Sequence, residues 1–502
     1  MKMRRLLEFC FLFLLLACLI VICFTSLSYG WKWSAASVYV AIIVWTLYSL
    51  MLENRTSHFT LVWMYVLIFL PFIGYLFYLY SGQLYLKGQL FQTKLKHDRK
   101  ELQLLAEKGT EPNYEALSET GACFAKSSQQ LYMTMYHEHT HTDILVNGEE
   151  TFTALKEKLL AATSYIHMEY YTFRSDELGR SIIDVLIQKA QEGIDVRFLF
   201  DGMGSLTFAN RDIKRLKTAG VKVYPFLPIK HGFFNQKFNF RNHRKIAIID
   251  GKYGFTGGLN IGMEYLGANK KLGFWRDTHL LLQGEAVQAL HAIFLLDWNY
   301  VTNESLMQEH RYTESYSVAG NGSVQVVPSG PDTGQGVMSD LYYSMISCAK
   351  QSIWIATPYF VPNEAIRTAL RVAARKGIQV RVMVPENSDS FLTKYASRSY
   401  VPELLRAGIE IYFYKKGFMH QKVVLIDGEL ASVGSANMDL RSFHLNFEVN
   451  VFLTGHQVVS ELHELYKMDI QDCEHISLKD FKERGRWERS KESFARLFSG
   501  VL

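Results

Sequence analysis

Two stretches of this 502-residue chain share one arrangement of polar residues, and this arrangement decides the fold. The first stretch is His243-Arg244-Lys245-Ile246-Ala247-Ile248-Ile249-Asp250, followed by Gly257-Gly258-Leu259-Asn260. The second is His420-Gln421-Lys422-Val423-Val424-Leu425-Ile426-Asp427, followed by Gly434-Ser435-Ala436-Asn437. A single H-x-K would be weak, but two copies with identical internal spacing indicate a repeated functional motif.

Each copy predicts a short strand with a polar site at one end. Histidine and lysine are two residues apart, so a strand places both side chains on one face. The aspartate precedes a glycine and predicts a turn. The small residues that follow let the backbone approach a ligand, and the asparagine can orient a charged group. The residues that we assign to the site from the two copies are His243, Lys245, Asp250, Gly257, Gly258 and Asn260, and His420, Lys422, Asp427, Gly434, Ser435 and Asn437.

The two copies lie in halves of the chain that repeat each other. Gly193-Ile194-Asp195-Val196-Arg197 leads into an apolar strand in the first half, and Gly377-Ile378-Gln379-Val380-Arg381 does so in the second. A helical stretch precedes each segment, and an Ala-Gly pair and a further strand follow it. This alternation predicts an α/β fold with two repeated halves, at residues 143–315 and 316–502, that share one site.

The composition narrows the class of protein. Hydrophobic residues make up 48% and charged residues 21%, which excludes a wholly disordered or fibrous chain. The net charge of +5 is too small to indicate nucleic-acid binding by itself. Six cysteines are too few for a disulfide scaffold, and their spacing does not fit a metal site. We predict neither a metal ion nor another cofactor, because Lys245 and Lys422 can take the place of a divalent ion and no carboxylate cluster is apparent in the sequence.

Residues 1–86 predict a membrane anchor. Apolar runs at about 6–27, 33–52 and 59–80 are each long enough for a helix that crosses a bilayer core of about 30 Å. The first run, with basic residues before it, also fits a signal peptide, although no small-residue cleavage site precedes Ser28.

The charges that flank the anchor give opposing signals about its orientation. The basic N-terminus and the basic cluster at 87–100 both favour the cytoplasm, and three full spans cannot satisfy both. Because the second cluster is larger, we expect a multi-pass protein of the cell membrane whose catalytic part faces the cytoplasm. A helical connector at 87–142 would join the anchor to the first half.

The paired motifs resemble those of the phospholipase D superfamily, and the wider sequence is similar to its bacterial cardiolipin synthases. The similarity covers nearly the whole chain, and the stretches that carry it besides the motifs are residues 70–74, 166–171, 275–277, 357–360 and 437–448. The chain departs from the family by an extra leading apolar run. It also has Gly258 in the first motif where the second has Ser435.

The resemblance implies phosphatidyl transfer between two phosphatidylglycerol molecules, which gives cardiolipin and glycerol through a phosphohistidine. It implies that His243 is the nucleophile and His420 the acid and base, although the residues alone leave that order open. Imidazole can fill both roles near neutral pH, and Lys245 and Lys422 would hold the phosphoryl oxygens as charge develops.

Further polar residues are candidates for supporting roles. Asp250 and Asp427 lie too far along their strands to act as the immediate acid, so we expect them to orient the imidazoles. Asp277 and Glu448 are candidates to bond a histidine's second nitrogen. Glu169 and Tyr359 follow strands, and they either line the pocket or serve packing and capping.

Several alternatives stay open. A hydrolase of the same superfamily, a phospholipase or a nuclease, ranks second, and an inactive membrane scaffold ranks third. Residues 137–141 match H-E-x-x-H, but the polar residues that follow predict a loop before a strand and not a zinc-binding helix.

Two basic segments outside the motifs bear on the expected partners. Residues 230–244 mix cations with aromatic residues, which could bind nucleic acid. Their position beside His243 favours anionic lipid head groups. We therefore expect phosphatidylglycerol, other membrane lipids and the bilayer as partners, and not nucleic acid. The tail at 484–502 is either a membrane-surface helix or a solvated terminal helix.

Overall fold

The computed structural model describes residues 2–53, 57–78, 90–106, 114–132, 134–228, 237, 239–333 and 336–501. The chain forms two compact units. One contains residues 1–92 and 229–239, and the other contains residues 93–228 and 240–502.

The first unit is built from helices α1 (Lys2–Phe24), α2 (Tyr29–Met51), α3 (Ser57–Phe69) and α4 (Pro71–Phe77). Among the described residues, α2 alone is long and apolar enough to cross a membrane, judged by length and composition, and shorter apolar stretches occur at Cys10–Phe24 and Thr60–Phe69. The expected third span is interrupted because Leu70 has a non-helical backbone (φ −129°), as is usual for the residue before a proline. The expected three spans are therefore not confirmed, and residues 79–80 of the third lie outside the described residues.

The second unit, which we call the catalytic unit because it contains both motifs, begins with the helical segment that the sequence predicts as a connector. It contains α5 (Gln92–Ala106) and α6 (Glu119–Tyr132). A disulfide between Cys123 of α6 and Cys348 ties this segment to the second half, with a Cα–Cα distance of 5.9 Å. The two cysteines are 225 residues apart, so their spacing in the sequence gave no indication that they pair.

The first half is a mixed sheet covered by helices. Its strands follow the order β1-β9-β7-β6-β2-β3-β4. The elements are β1 (Thr140–Val146), α7 (Asn147–Leu160), β2 (Tyr165–Tyr170), α8 (Glu177–Gln191), β3 (Asp195–Asp201), α9 (Asn210–Thr218), β4 (Lys222–Phe226), β5 (Arg241–Asn242), β6 (Lys245–Ile249), β7 (Tyr253–Gly257), β8 (Phe274–Arg276), β9 (Thr278–Gly284), α10 (Ala286–Thr302) and α11 (His310–Thr313).

The second half has the same strand order, β10-β19-β17-β16-β11-β13-β14, with β20 added at the edge. The elements are β10 (Ser323–Ser329), α12 (Val337–Cys348), β11 (Ser352–Ala356), β12 (Phe360–Val361), α13 (Glu364–Arg375), β13 (Gln379–Pro385), α14 (Phe391–Arg406), β14 (Glu410–Tyr414), β15 (Gly417–Met419), β16 (Val423–Ile426), β17 (Leu430–Gly434), β18 (Met438–Asp439), α15 (Leu440–His444), β19 (Asn446–Thr454), α16 (His456–Gln471), β20 (Cys473–Ile476), α17 (Leu478–Glu483) and α18 (Arg486–Arg496). The predicted α/β repeat is therefore confirmed.

The two halves share a hydrophobic core. Helix α10 contributes Leu290 and Trp298 to it, and α16 contributes Leu462 and Tyr466. Buried strand residues of both halves, such as Leu280 and Val449, belong to the same cluster. Burial of apolar surface on this scale holds the halves together as one body.

Each half also exchanges a short strand with the other. β5 pairs in parallel with the start of β19, so that Arg241 lies opposite Asn446. β15 pairs in parallel with β8, so that Gly417 lies opposite Phe274. β5 and β15 lead directly into the two motifs, so the exchange brings both motifs to the boundary between the halves.

Two ambiguous segments of the sequence adopt defined structures. In residues 137–141, His137 forms a bridge to Val324, residues 138 and 139 bend, and Thr140 starts β1, so the predicted loop before a strand is confirmed. In the tail, Ala495 of α18 is buried against Ala396 and Tyr400 of α14. The basic segment 230–244 lies largely outside the described residues.

Candidate active site

The backbone of each motif histidine is bound to the opposite half. His243 precedes β6, and its N–H donates to the carbonyl of Phe447 at 2.8 Å. His420 precedes β16, and its N–H donates to the carbonyl of Arg276 at 2.7 Å. The sequence predicts both histidines on the motif strands. In the structure they lie just before β6 and β16, in segments that the exchanged strands hold.

A carboxylate from the opposite half holds one nitrogen of each imidazole. Nδ1 of His243 lies 2.9 Å from Oε2 of Glu448, and Nδ1 of His420 lies 2.8 Å from Oδ2 of Asp277. A carboxylate accepts hydrogen bonds, so Nδ1 carries the proton in both rings and Nε2 is left to react. The structure thus places Glu448 and Asp277 beside the histidines, in the positions that the sequence analysis considered for them.

Both carboxylates are charged despite their burial. Burial raises the pKa of Asp277, but His420 and Lys422 outweigh it and lower the pKa to about 2. Burial likewise raises the pKa of Glu448, and His243 and Lys245 bring it below its ordinary value. Each imidazole therefore has an anion that can stabilise a positive charge on the ring.

The difference between Gly258 and Ser435 follows from these carboxylates. The Ser435 hydroxyl donates to Oε2 of Glu448. At Gly258, an added Cβ would lie 2.0 Å from Oδ1 of Asp277. The shorter aspartate thus occupies, in one half, the space that the serine side chain takes in the other.

The two motif lysines are buried beside the histidines. Nζ of Lys245 donates to the carbonyl of His243, and Nζ of Lys422 lies 3.0 Å from Nε2 of His420. Burial lowers the pKa of Lys245 to about 7 and that of Lys422 to about 8. A bound phosphate would favour their charged form, so both are placed to hold an anion.

A cleft of about 550 Å³ opens over the two histidines. His243, His420, Asn260 and Asn437 line it. Asn260 is fixed, because its Oδ1 accepts from the Thr172 N–H at 3.1 Å. Within the described residues, Oδ1 of Asn437 is buried without a hydrogen-bond partner. The charged side chains that also line the cleft are Arg174, Arg241, Lys271 and Arg441, and Glu264, Asp389 and Asp439.

Of the two further residues that the sequence suggests for the pocket, Tyr359 lines the cleft and Glu169 does not. Tyr359 lines the cleft, and its hydroxyl donates to Asp389 at 2.6 Å. Glu169 lies within β2, where it is buried and accepts from Nδ2 of Asn242. Glu169 therefore supports the segment before His243 and does not line the cleft.

Sequence reasoning missed the aromatic rings that pack on the imidazoles. Tyr171 lies against His243 with ring centroids 4.9 Å apart, and Trp275 lies against His420 at 5.0 Å. Aromatic residues make up 14% of the chain, so their presence in the sequence was no signal. Tyr171 and Trp275 both lie in stretches that carry the family resemblance, but the contact of Trp275 with His420 depends on the exchange between halves.

The structure corrects the expectation that Asp250 and Asp427 orient the imidazoles. Asp250 lies in the turn at the far end of β6, and its carboxylate accepts from the N–H groups of 163, 164 and 165. Asp427 accepts from those of 350, 351 and 352 in the other half. Both have positive φ, at 54° and 56°, a region that aspartate tolerates better than most residues. Strand length carries them away from the histidines, so they fix the start of the neighbouring strand.

This placement predicts a loss of stability without a loss of chemistry. Asp250→Ala should lower the free energy of unfolding by about 2 kcal/mol, because four hydrogen bonds to one carboxylate are lost. Asp250→Asn keeps one acceptor oxygen, so its free energy of unfolding should lie between those of the wild type and of Asp250→Ala. Denaturant unfolding and turnover per folded molecule would check this. A folded Asp250→Ala protein with turnover reduced a hundredfold would contradict the structural role.

The titration of the site predicts a bell-shaped pH dependence. Burial lowers the pKa of His243 and of His420 to about 4, so both rings are mostly neutral at pH 7. The lysines must be charged to bind phosphate, so kcat/KM should fall as pH rises through the pKa of Lys245, about 7. In Lys245→Arg the guanidinium stays charged, and the alkaline limb should move to higher pH. The pH profiles of kcat/KM for the wild type and Lys245→Arg would measure this shift. An alkaline limb at the same pH in both proteins would exclude Lys245 as the group that causes it.

Comparison with known proteins places this geometry in a family. Residues 155–298 and 342–470 match the family model described as cardiolipin synthase, PLD-like domain, and residues 35–83 match a phospholipase D-nuclease N-terminal model. The probable cardiolipin synthase YwiE of Bacillus subtilis (strain 168) is 55% identical over 500 residues, with 100% of both chains covered. A cardiolipin synthase of Halalkalibacterium halodurans is 44% identical over 483 residues, covering 94% of this chain and 95% of the relative.

Among solved structures, phosphatidylserine synthase of Haemophilus influenzae Rd KW20 superposes with a TM-score of 0.57 at 16% identity, over 75% of this chain and 99% of that chain. This likeness concerns the fold alone. The two family matches cover the segments that contain both motif histidines and both carboxylates that hold them. The chain belongs to the cardiolipin synthases of the phospholipase D superfamily, a family of phosphatidyltransferases.

Proposed function

We propose that this chain transfers a phosphatidyl group from one phosphatidylglycerol to another, with His243 as nucleophile and His420 as acid and base. The observation that carries the proposal is the pair of imidazoles on one cleft, each with Nδ1 bound to a buried carboxylate of the opposite half. One nucleophile and one proton carrier are what a double displacement at phosphorus requires.

In the first step, Nε2 of His243 attacks the phosphorus of phosphatidylglycerol. The bond from phosphorus to the head-group glycerol oxygen breaks, and His420 donates its Nε2 proton to that oxygen. His420 enters this step in the doubly protonated form, which the bound phosphodiester anion and Asp277 favour over the neutral ring of the protein without substrate. Glycerol leaves and a phosphatidyl-histidine remains. Glu448 stabilises the positive charge that the ring of His243 gains in the intermediate.

In the second step, a glycerol hydroxyl of another phosphatidylglycerol attacks the same phosphorus. His420, now neutral, accepts the hydroxyl proton, and Asp277 stabilises the resulting imidazolium. The bond between phosphorus and His243 breaks, which releases cardiolipin and restores the starting proton balance. Lys245 and Lys422 hold the non-bridging oxygens in both steps, where fixed positive charge in a dry site is most effective.

The substrates are membrane lipids, and we propose that α2 holds the catalytic unit at the bilayer. The basic cluster at 87–100 favours the cytoplasmic side. The disulfide between Cys123 and Cys348 favours the outer side, because disulfides persist mainly in oxidising compartments. We retain the cytoplasmic side as the proposal, and a reporter that is active on one side only, fused after Leu502, would decide between them.

The test of the function uses the full chain in vesicles of labelled phosphatidylglycerol. Thin-layer separation should show cardiolipin, with glycerol released in equal amount, at the same rate with and without a chelator. Phosphatidic acid as the sole lipid product would replace the transferase with a hydrolase of the superfamily. Loss of turnover on chelation, restored by one specific metal, would overturn the role given to the lysines.

A further inference from the structure

A buried lysine in the connector contacts acidic residues of both halves. Lys94 of α5 has a side chain that is 1% exposed. Its Nζ lies 2.9 Å from Oδ1 of Asp297 in α10 of the first half and 2.7 Å from Oδ2 of Asp332, which follows β10 of the second half. It also donates to Asp98, one turn along its own helix. Burial of a charge without a partner is costly, so the ammonium group of Lys94 and the carboxylates around it depend on one another to stay charged in the interior.

This cluster continues to the active site through the second residue of the first motif. Asp297 binds the guanidinium of Arg244 as well as Lys94. Nε of Arg244 donates to the backbone carbonyl of Glu448 at 3.1 Å. The carboxylate of Glu448 holds His243. The contacts therefore run from Lys94 through Asp297 and Arg244 to the backbone of the residue that orients the histidine.

The charges in the cluster depend on Lys94. Two cations, Lys94 and Arg244, face the carboxylates of Asp98, Asp297 and Asp332. The carboxyl of Glu169 also bonds Asp297, and burial together with Asp297 raises the pKa of Glu169 well above its ordinary value. Burial and the neighbouring Asp332 already raise the pKa of Asp98 to about 6, despite Lys94. Without Lys94, Arg244 would be the remaining cation of this group. The attraction between Arg244 and Asp332, which are 3.8 Å apart, would then compete with the bonds of Arg244 to Asp297 and Glu448.

The second histidine is supported differently. Gln421 occupies the position that corresponds to Arg244, and it bonds Asp469 at 2.8 Å and Thr278 at 2.8 Å. Arg276 supplies the cation for Asp469, at 2.7 Å. These partners all come from the two halves, so the described part of the connector contacts the support of His243 and not that of His420.

We propose that Lys94 is a positioning residue for His243, through which the connector helix holds Arg244 and Glu448 in the arrangement that the nucleophile requires. The inference rests on the proposed function, which assigns the attack on phosphorus to His243. Lys94 does not line the cleft, so it acts on the rate and not on lipid binding. α5 follows the membrane anchor in the chain. Through the contacts of Lys94, the connector supports catalysis in addition to joining the anchor to the two halves.

The test compares Lys94→Met with Lys94→Arg and with Lys96→Met, a matched control because Lys96 is an exposed lysine of the same helix. The full chain is assayed on phosphatidylglycerol vesicles. Lys94→Met should lower kcat at least about tenfold with KM within about twofold. His243 must be neutral to attack phosphorus, so its protonation sets the acid limb of the rate profile. Its ring faces Glu448, Lys245, Lys422 and Tyr171. Removing the positive charge of Lys94 behind Glu448 should raise the pKa of His243 and move that limb to higher pH. Lys94→Arg should restore most of kcat and the position of the limb, and Lys96→Met should match the wild type.

A second variant covers the case in which Lys94→Met does not fold. Lys94→Met/Asp98→Asn removes one charge of each sign, and it should fold while kcat stays low. A folded protein without Lys94 that keeps the kcat and acid limb of Lys96→Met would overturn the proposal. A lowered kcat that Lys94→Arg does not restore, with an unmoved limb, would overturn it too. Failure of the proposed function is distinguishable, because then the wild type would make no cardiolipin or His243→Asn would remain active.

Discussion

Cardiolipin formation by His243→Asn and by His420→Asn should each fall at least about a thousandfold, since a nucleophile and a proton carrier are both needed in every turnover. Asparagine is close in size to imidazole and keeps a polar atom at the position of Nδ1, so both proteins should fold. The measurement is the initial rate on phosphatidylglycerol vesicles, with thermal unfolding as the control. Substantial activity in either variant would reject the two-histidine mechanism.

A substrate with a good leaving group separates the two roles. Phosphatidyl-p-nitrophenol releases an anion that needs no proton, so loss of the acid should matter little in the first step. His420→Asn should then give a burst of nitrophenolate of up to one equivalent, and His243→Asn should give none. The opposite pattern would exchange the roles of the two histidines.

The structure also predicts the outcome of mixing the two variants. Both halves of the site belong to one chain, and His243 and His420 each take their carboxylate from the other half of that chain. A mixture of the two variants should therefore recover no activity. Recovery of about half of the wild-type activity in a mixed dimer would show that the halves pair between chains.

Gly258→Ser should lower kcat at least about a hundredfold, although serine is the natural residue at the matching position of the second motif. The new Cβ would lie 2.0 Å from Oδ1 of Asp277, whose other oxygen holds His420. The carboxylate must move, and a displacement of about 1 Å at a catalytic group can cost about a hundredfold in rate. Steady-state kinetics should show a fall in kcat with little change in KM.

The reverse change, Ser435→Gly, is the matched control. It removes the hydrogen bond that the hydroxyl donates to Glu448 and the one that it accepts from the Val449 N–H. It adds no clash, so kcat should fall less than about tenfold. If the two exchanges had equal effects, the packing of Asp277 against Gly258 would not explain why the motifs differ. Thermal unfolding of both proteins would separate a local displacement from a loss of fold.

The sequence by itself determined the α/β repeat and the identity of the chemical groups. The two motif copies have the same internal spacing, and secondary structure and repeats are local properties of a chain, which is why they could be predicted. The nature of histidine as nucleophile and proton carrier and of lysine as anion holder follows from the side chains alone. The polar pair Asp250 and Asp427 was misjudged, because the motif implied a site but not how far a strand carries its last residue.

The tertiary structure decided which groups meet. Glu448 holds His243 from 205 residues away, and Asp277 holds His420 from 143 residues away, each across the boundary between the halves. Lys94, Asp297 and Arg244 lie in separate segments of the chain, and the disulfide between Cys123 and Cys348 joins residues 225 apart. No spacing rule links such residues. Their contacts arise from the exchange of β5 and β15 and from the core shared by α10 and α16, which exist only when the whole catalytic unit has folded.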